Sequence, residues 1–284
     1  MAETHRDGRF NGPDGLSLYF QYWFAPQPRA VVLIAHGAGE HCSRYQPLAS
    51  FLTGHGFTVA ALDHPGHGKS DGTYGHVERF SQYRESLGEF REKISADFPG
   101  LPIVLLGHSM GGLISADYLI GHQQEFIGCA LSGPAIASEL EPGALQIGLI
   151  RLLSRFLPTL GVMQLEAGGI SRDPRVVQEY TSDPLVHHGK YSARFVSELF
   201  ATMQRVQEEA QKISLPLLLM HGEADSMTSP KGSKLLFERV SSKQKTLKLY
   251  PGLYHEIFNE PEHEQVFADL LAWCETLPGL PLQV

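Results

Sequence analysis

The sequence predicts an α/β fold: a mostly parallel central sheet with helices on both faces, and a helical cap inserted over the strand ends. Two observations predict the sheet. Short, nearly continuous apolar runs recur along the chain, and longer stretches of helical period separate them. Strands that read as unbroken hydrophobic runs are buried on both faces, and helices between them supply the cover. A third observation predicts the insertion. From residue 134 to about 212 no buried strand is legible, only helical and Pro/Gly-rich sequence, and then the strand pattern resumes. The core is therefore read as 1–133 and 213–284, with 134–212 as the cap.

The elements follow in order. "LSLYFQYWF" (16–24) alternates apolar and polar residues and reads as an antiparallel strand at the sheet edge. "AVVLIAHG" (30–37), "FTVAALDH" (57–64), "LPIVLLGH" (101–108), "GCALSGP" (128–134), "LPLLLMHGEAD" (215–225) and "KTLKLYPG" (245–252) read as buried strands. Segments 44–55, 77–98, 109–122, 229–241 and 261–276 read as the helices between and after them. Within the cap, 144–165 is very apolar, with Arg151 and Arg155 one turn apart. It reads either as a helix packed on the core or as an amphipathic surface helix dipping into a lipid interface.

Composition excludes several functions. The formal net charge is -8 and no Lys/Arg-rich block is present, so nucleic acid is not an expected partner. Cys42, Cys129 and Cys274 are odd in number and far apart. They fit neither a disulfide framework nor a metal knuckle, and they predict reduced, buried thiols and a cytoplasmic setting. The opening "MAETHRDGRFNGPDG" has no apolar segment, and no later run reaches transmembrane length. "DHPGHGKSDG" (63–72) and His187–His188 concentrate histidines, but no spacing converges two histidines and a carboxylate on one helix face. No metal or other cofactor is expected.

In open parallel sheets, ligands bind outside the carboxyl ends of the strands. "GHSMG" (107–111) sits there, between a strand and a helix, and has the Gly-x-Ser-x-Gly form of a turn that presents its serine above the sheet. Gly107 and Gly111 are expected to remove Cβ atoms that would clash in so sharp a turn, and Gly112 to let the new helix pack closely. A serine hydroxyl needs a base, and the base an acid to hold its tautomer. Chain order in this architecture is Ser, Asp or Glu, then His. Only His221, His255 and His263 follow the insertion. His221 comes too early to leave an acid before it, and His263 falls in the first turn of a helix, where a solvated position is expected. His255 is the candidate base.

Asp225 is the preferred acid, with Glu223 the nearby alternative and Glu139 or Glu141 further ones. The same "DSMTSP" run also reads as a helix start, with Ser229 as N-cap and Pro230 at the first helical position. An oxyanion cradle needs two backbone N–H groups. Met110, after the nucleophile, supplies one. "HGAG" (36–39), after an earlier strand, supplies the other through Ala38.

The blocks "HGAGEHCSRY", "DHPGHGKSDG", "LGHSMGG", "SRDPRVVQEYTSDPL", "HGEADSMTSPKG" and "YPGLYHEIFNE" span roughly residues 10 to 276. Together they resemble the α/β-hydrolase superfamily, most closely its monoacylglycerol lipase and lysophospholipase group. The resemblance implies hydrolysis of a monoacylglycerol to fatty acid and glycerol through an acyl-enzyme on Ser109. By similarity, Glu40, Arg44, His108 and Tyr180 lie near the glycerol end. The resemblance also implies that the apolar cap forms the acyl tunnel and touches membrane transiently, which would place the protein in the cytoplasm and peripherally at membranes. Glu40 and Arg44 read equally well as a structural ion pair. A broad carboxylesterase or lysophospholipase uses the same site. A catalytically idle binding protein is a further reading, disfavoured by the intact Ser109, Asp225 and His255 set.

Overall fold

The computed structural model describes residues 3–137 and 143–281. Eight strands form the main sheet: β1 (His5–Asn11), β2 (Ser17–Trp23), β3 (Ala30–Ala35), β4 (Phe57–Leu62), β5 (Ile103–His108), β6 (Gly128–Ser132), β9 (Leu217–Gly222) and β10 (Lys245–Tyr250). Their spatial order is β1-β2-β4-β3-β5-β6-β9-β10. From β4 to β10 all pairings are parallel, and β2 joins β4 antiparallel.

Alternation along the strands divides the core in two. In β3, Val31, Leu33 and Ala35 enter one cluster, whereas Ala30, Val32 and Ile34 enter the other. The first cluster is covered by α2 (Ser81–Asp97) and α3 (Met110–His122), the second by α1 (Gln46–Gly54) and α8 (His263–Cys274). Every residue of β3, β4, β5 and β9 is buried. That is why these strands show no polar alternation in the sequence.

The edge differs from the expectation. β2 is not the sheet edge, because β1 pairs outside it in antiparallel register, His5 opposite Trp23 to Asn11 opposite Ser17. "HRDGRFN" is largely exposed and polar, so it lacks the hydrophobic signal on which strand reading depends. Charged and polar side chains on an edge strand also discourage pairing with another chain.

Between β6 and β9, which pair directly, the chain makes α4 (Ala144–Phe156), β7 (Gly161–Met163), α5 (Pro174–Ser182), β8 (Tyr191–Ser192) and α6 (Ala193–Glu209). Three helices lie in this stretch, together with a β7–β8 pair that is not legible in the sequence and is only two to three residues long on each side. The apolar run 144–165 is not one helix. It stops at Phe156, with Leu157 already out of helical geometry (φ −136°, ψ 60°) before Pro158, because a residue preceding proline is driven out of the helical region. On α4, Leu145, Leu149, Leu152 and Phe156 face solvent, with Leu145 91% exposed. Among the described residues no helix is long and apolar enough to cross a membrane.

Α7 (Pro230–Arg239) follows β9, with Ser229 at its N-cap and Pro230 at its first position, as its sequence suggests. The Ser229 hydroxyl makes no capping bond; the order set by proline is enough to start this helix.

Candidate active site

Parallel register brings five strand ends to one line. Ala35 of β3 lies opposite Gly107 of β5, and His108 lies opposite Ser132 of β6. Ser109 leaves β5 with φ 53° and ψ −117°, a left-handed backbone strained for any residue with a Cβ. Its N–H donates to Ser132 O, and its carbonyl accepts from Leu113 and Ala135 N–H. Three bonds thus hold the strained residue in place. The glycines around it have the expected reason, now with named neighbours. A Cβ on Gly111 would sit 2.0 Å from Ala35 O, one on Gly107 2.6 Å from Gly111 O, and one on Gly112 2.8 Å from Pro134 Cβ. Helix α3 therefore crosses β3 and the loop after β6 at backbone contact distance.

Asp225 follows β9 and His255 follows β10. His255 Nδ1 is 2.7 Å from Asp225 Oδ2. The other contacts to the carboxylate define it as a pure acceptor. Oδ1 accepts from Met227 N at 2.8 Å and Thr228 N at 3.0 Å, while Oδ2 also lies 2.9 Å from Thr228 Oγ1 and 3.1 Å from His221 Nε2. Burial alone would raise the Asp225 pKa, but the neighbouring His255 charge and the hydrogen bonds from His221 and His255 hold it far below the ordinary carboxylate range. For His255, burial works to lower the pKa. The Asp225 charge and hydrogen bond overcome it, helped by Glu256 and Glu40, and the net shift is upward from 6.5. A carboxylate bonded to Nδ1 leaves Nε2 free to face a substrate, the tautomer a general base needs.

Glu223, the alternative acid, is exposed on the strand-end turn, while Glu139 and Glu141 lie outside the described residues. His263 begins α8 and bonds Glu260 O at 2.8 Å. Two partners escaped sequence reading. His221, set aside as a base, is fully buried and bridges Asp225 to Ser233 Oγ at 2.7 Å. Thr228 touches both Asp225 and Gly133 O. The only signal was their spacing from Asp225 in "HGEADSMT".

The turn after β3 is held from several sides. His36 Nε2 accepts from His64 N–H at 2.9 Å, so its proton is on Nδ1, which donates to Gly37 O at 2.7 Å. Burial pushes the His36 pKa down to about 4, which keeps the ring neutral. Gly37 N–H donates to Glu40 Oε1 at 2.6 Å. The planar Gly37–Ala38 peptide is thereby fixed, and its N–H with it. Among the described residues neither the Ala38 nor the Met110 N–H has an acceptor. Both residues line the same cavity as Ser109 and His255.

That cavity measures about 830 Å³, at the upper end of small-molecule sites. Part of its lining is apolar: Met163, Leu165, Phe195, Leu199, Phe200 and Met203 from the insertion pack into one cluster. A polar part, Glu40, Tyr180 and Glu256, gathers around Arg44, with His108 and Tyr254 also in the lining. Of the four residues expected near the glycerol, Glu40, His108 and Tyr180 reach the cavity. Arg44 lies behind it: its guanidinium pairs with Glu256 at 2.6 and 2.7 Å and with Glu40 at 3.1 Å, and it stacks 4.8 Å from the Tyr180 ring. His108 bonds Ser132 O at 3.1 Å, and burial, then the His255 charge, pushes its pKa down to about 3. Among the described residues no cluster of three His, Cys, Asp or Glu side chains is placed to hold a metal ion.

Comparison with known proteins gives the same family by three routes. The family model described as "Serine aminopeptidase, S33" matches residues 26–262. A monoacylglycerol lipase of Mycolicibacterium smegmatis is 38% identical over 274 residues, 96% of this chain and 98% of that one. The crystal structure of the Paleococcus ferrophilus monoacylglycerol lipase superposes with a TM-score of 0.82 at 36% identity, covering 90% of this chain and 97% of that one. A soluble variant of the Saccharomyces cerevisiae monoglyceride lipase, bound to a substrate analogue, gives a TM-score of 0.86 at 25% identity, covering 99% and 97%. The chain is a serine hydrolase of the α/β-hydrolase superfamily and belongs to the family described as serine aminopeptidase, S33, within its monoacylglycerol lipase group.

Proposed function

We propose that this protein hydrolyses monoacylglycerols to fatty acid and glycerol, with Ser109, Asp225 and His255 as its catalytic triad. One observation carries the reading. A serine in a strained turn shares a partly apolar, partly polar cavity with a histidine whose Nδ1 is bonded to a buried carboxylate. The acyl chain lies along the apolar part of the lining and the glycerol at the polar part.

His255 Nε2 takes the Ser109 proton as Oγ bonds to the ester carbonyl carbon. The resulting oxyanion is held by the Ala38 and Met110 N–H groups, each worth roughly 2.7–4 kcal/mol of transition-state stabilisation. When the tetrahedral adduct collapses, the C–O bond to glycerol breaks and His255 protonates the departing oxygen. His255 then activates a water that releases the fatty acid from Ser109. Glu40, Arg44, His108 and Tyr180 shape the glycerol end, Arg44 by holding the two carboxylates.

Residues 134–212 act as a cap on the core of 1–133 and 213–284. The stripe of Leu145, Leu149, Leu152 and Phe156 on α4 is the face that meets a lipid surface, since an exposed apolar stripe of this size calls for a partner. A fluorophosphonate probe tests the nucleophile: it should label Ser109 and spare Ser109→Ala. A hydrolysis panel of mono-, di- and triacylglycerols, lysophospholipids and short esters tests the substrate. Equal rates across the panel would replace the monoacylglycerol reading with a broad carboxylesterase or lysophospholipase.

A further inference from the structure

Behind the polar lining of the cavity, Glu40 and Glu256, stands a guanidinium with the geometry of a phosphate receptor that is prevented from acting as one. Arginine presents a planar fork that matches carboxylate or phosphate bidentately. Arg44, its side chain 12% exposed, stands behind the cavity lining, with both terminal nitrogens on Glu256 and one shared with Glu40. Glu256 is anchored in turn by Asn259 Nδ2 at 2.8 Å. Glu40 accepts from Gly37 N–H, Tyr45 OH and Arg44, so each of these contacts brings a donor to its carboxyl group. Burial would raise the Glu256 pKa, but Arg44 brings it below the ordinary value. Two carboxylates thus face one cation, leaving one net negative charge. His108 beside them is neutral, and Tyr180 keeps its proton, pushed up by burial.

We propose that Glu256 sets the leaving-group specificity of this site, accepting esters of uncharged alcohols and excluding esters of glycerol phosphate, by occupying Arg44 and adding a second carboxylate to the head-group end. This rests on the reading that the alcohol of the ester lies at the polar part of the lining. A glycerol head group brings hydroxyls that can donate to these carboxylates. A phosphate brings like charge into a buried, weakly screened site, where the repulsion is attenuated far less than in water. Sequence reading missed Glu256 because it stands next to His255, where attention goes to the histidine.

The test compares kcat/KM on 1-oleoylglycerol and 1-oleoylglycerol 3-phosphate in the same neutral micelles, for the wild type, Glu256→Gln and Glu256→Ala. The wild type should prefer the uncharged ester by about 100-fold or more, and each variant should reduce that preference by at least about tenfold, the factor that about 1.4 kcal/mol supplies. Because the Glu256 charge also supports the protonated form of His255, the acid limb of the pH profile should move to lower pH in both variants. A purely structural role would leave that limb where it is. Glycerol 3-phosphate, measured as an inhibitor of nitrophenyl ester hydrolysis, should bind the wild type at least about tenfold more weakly than it binds Glu256→Gln.

A preference unchanged within twofold in folded variants would overturn the proposal. So would a wild type that binds glycerol 3-phosphate more tightly than glycerol, a result that needs no variant. A wild type inactive on both oleoyl esters would instead refute the monoacylglycerol reading, and the inhibition measurement would still decide the role of Glu256.

Discussion

Replacing Asp225 with asparagine should leave the fold standing and remove nearly all turnover. The two oxygens of Asp225 face different partners. Oδ1 meets the backbone N–H groups of Met227 and Thr228, which cannot do anything but donate. Oδ2 meets His255 Nδ1, His221 Nε2 and the Thr228 hydroxyl, each able to change role. The asparagine carbonyl must therefore take the Oδ1 place, and its NH2 must point at His255 Nδ1. That ring then accepts at Nδ1 and carries its proton on Nε2, the wrong tautomer for receiving a proton from Ser109. The same inversion in an unrelated serine hydrolase lowers kcat about 10⁴-fold, and a loss of that size is expected here.

Removing the carboxylate charge also removes what holds the His255 pKa above 6.5, so the acid limb of the residual activity moves to lower pH. The stability effect has its own sign. Asp225 has a depressed folded pKa, so its contribution is present above the ordinary 3.8 and fades as pH falls below it. The variant should lose that acid-side slope. Burst and steady-state kinetics across pH 5–9 (about that range covers a histidine), with thermal unfolding at neutral and acid pH, make the measurement. A kcat within tenfold of the wild type in a folded variant would refute the tautomer argument.

Further outcomes follow from the same geometry. Ser109 at φ 53° stores strain of about 1–3 kcal/mol. Both Ser109→Gly and Ser109→Ala should be inactive, but the glycine variant should be more stable by about 1 kcal/mol after its own unfolded-chain entropy is discounted; equal melting temperatures would contradict the strain. Gly111→Ala places a Cβ 2.0 Å from Ala35 O, whereas a Cβ at Gly121 meets nothing within 4 Å. The first should destabilise the protein by about 3 kcal/mol and the second should stabilise α3 by about 0.5–1 kcal/mol, as urea titration would report. The paired change Leu149→Asp and Leu152→Asp on α4 should reduce sedimentation with phosphatidylcholine vesicles by about tenfold or more, while soluble short-ester hydrolysis stays unchanged. Unchanged vesicle binding would remove α4 as the lipid-facing surface.

The sequence showed most clearly what repeats or punctuates. Five of the six strands expected to be buried are so, and were legible because burial on both faces leaves uninterrupted apolar runs; the sixth, β10, is the outer strand of the sheet and only Tyr250 in it is buried. Ser109, Asp225 and His255 stood out as polar residues on the segments that follow strands. What it hid is polar or distant in sequence. β1 is a strand through its pairing with β2, not through its composition. The β7–β8 pair joins residues about thirty apart in the chain with two or three residues a side. The end of α4 was legible in Pro158 but lay inside an apolar run that suggested continuation. His221, Thr228 and Glu256 carry no motif of their own, since their roles come from hydrogen bonds that only the folded chain brings together. Glu40 and Arg44 were read as either substrate contacts or an ion pair. The structure shows the ion pair, with Glu40 also lining the cavity.

The insertion is bonded to the loops that carry Ala38 and His255 rather than simply laid over them. Its inner segment reaches the turn after β3 through His187 N–H to Gly39 O at 2.8 Å and Asp183 to His41 at 2.9 Å. It reaches the loop after β10 through Glu256 N–H to Ile170 O at 2.8 Å, and through Arg172 to Glu260 at 2.9 Å. Those two loops carry Ala38 and His255. Displacing the inner segment would break bonds that fix both, so opening by a rigid swing of the whole insertion would disorganise the site it exposes. α4 is different: it packs on α6 and leaves its apolar stripe in solvent. On the proposed function, the inner segment holds the geometry of the reacting groups, and α4 offers the apolar surface that meets lipid.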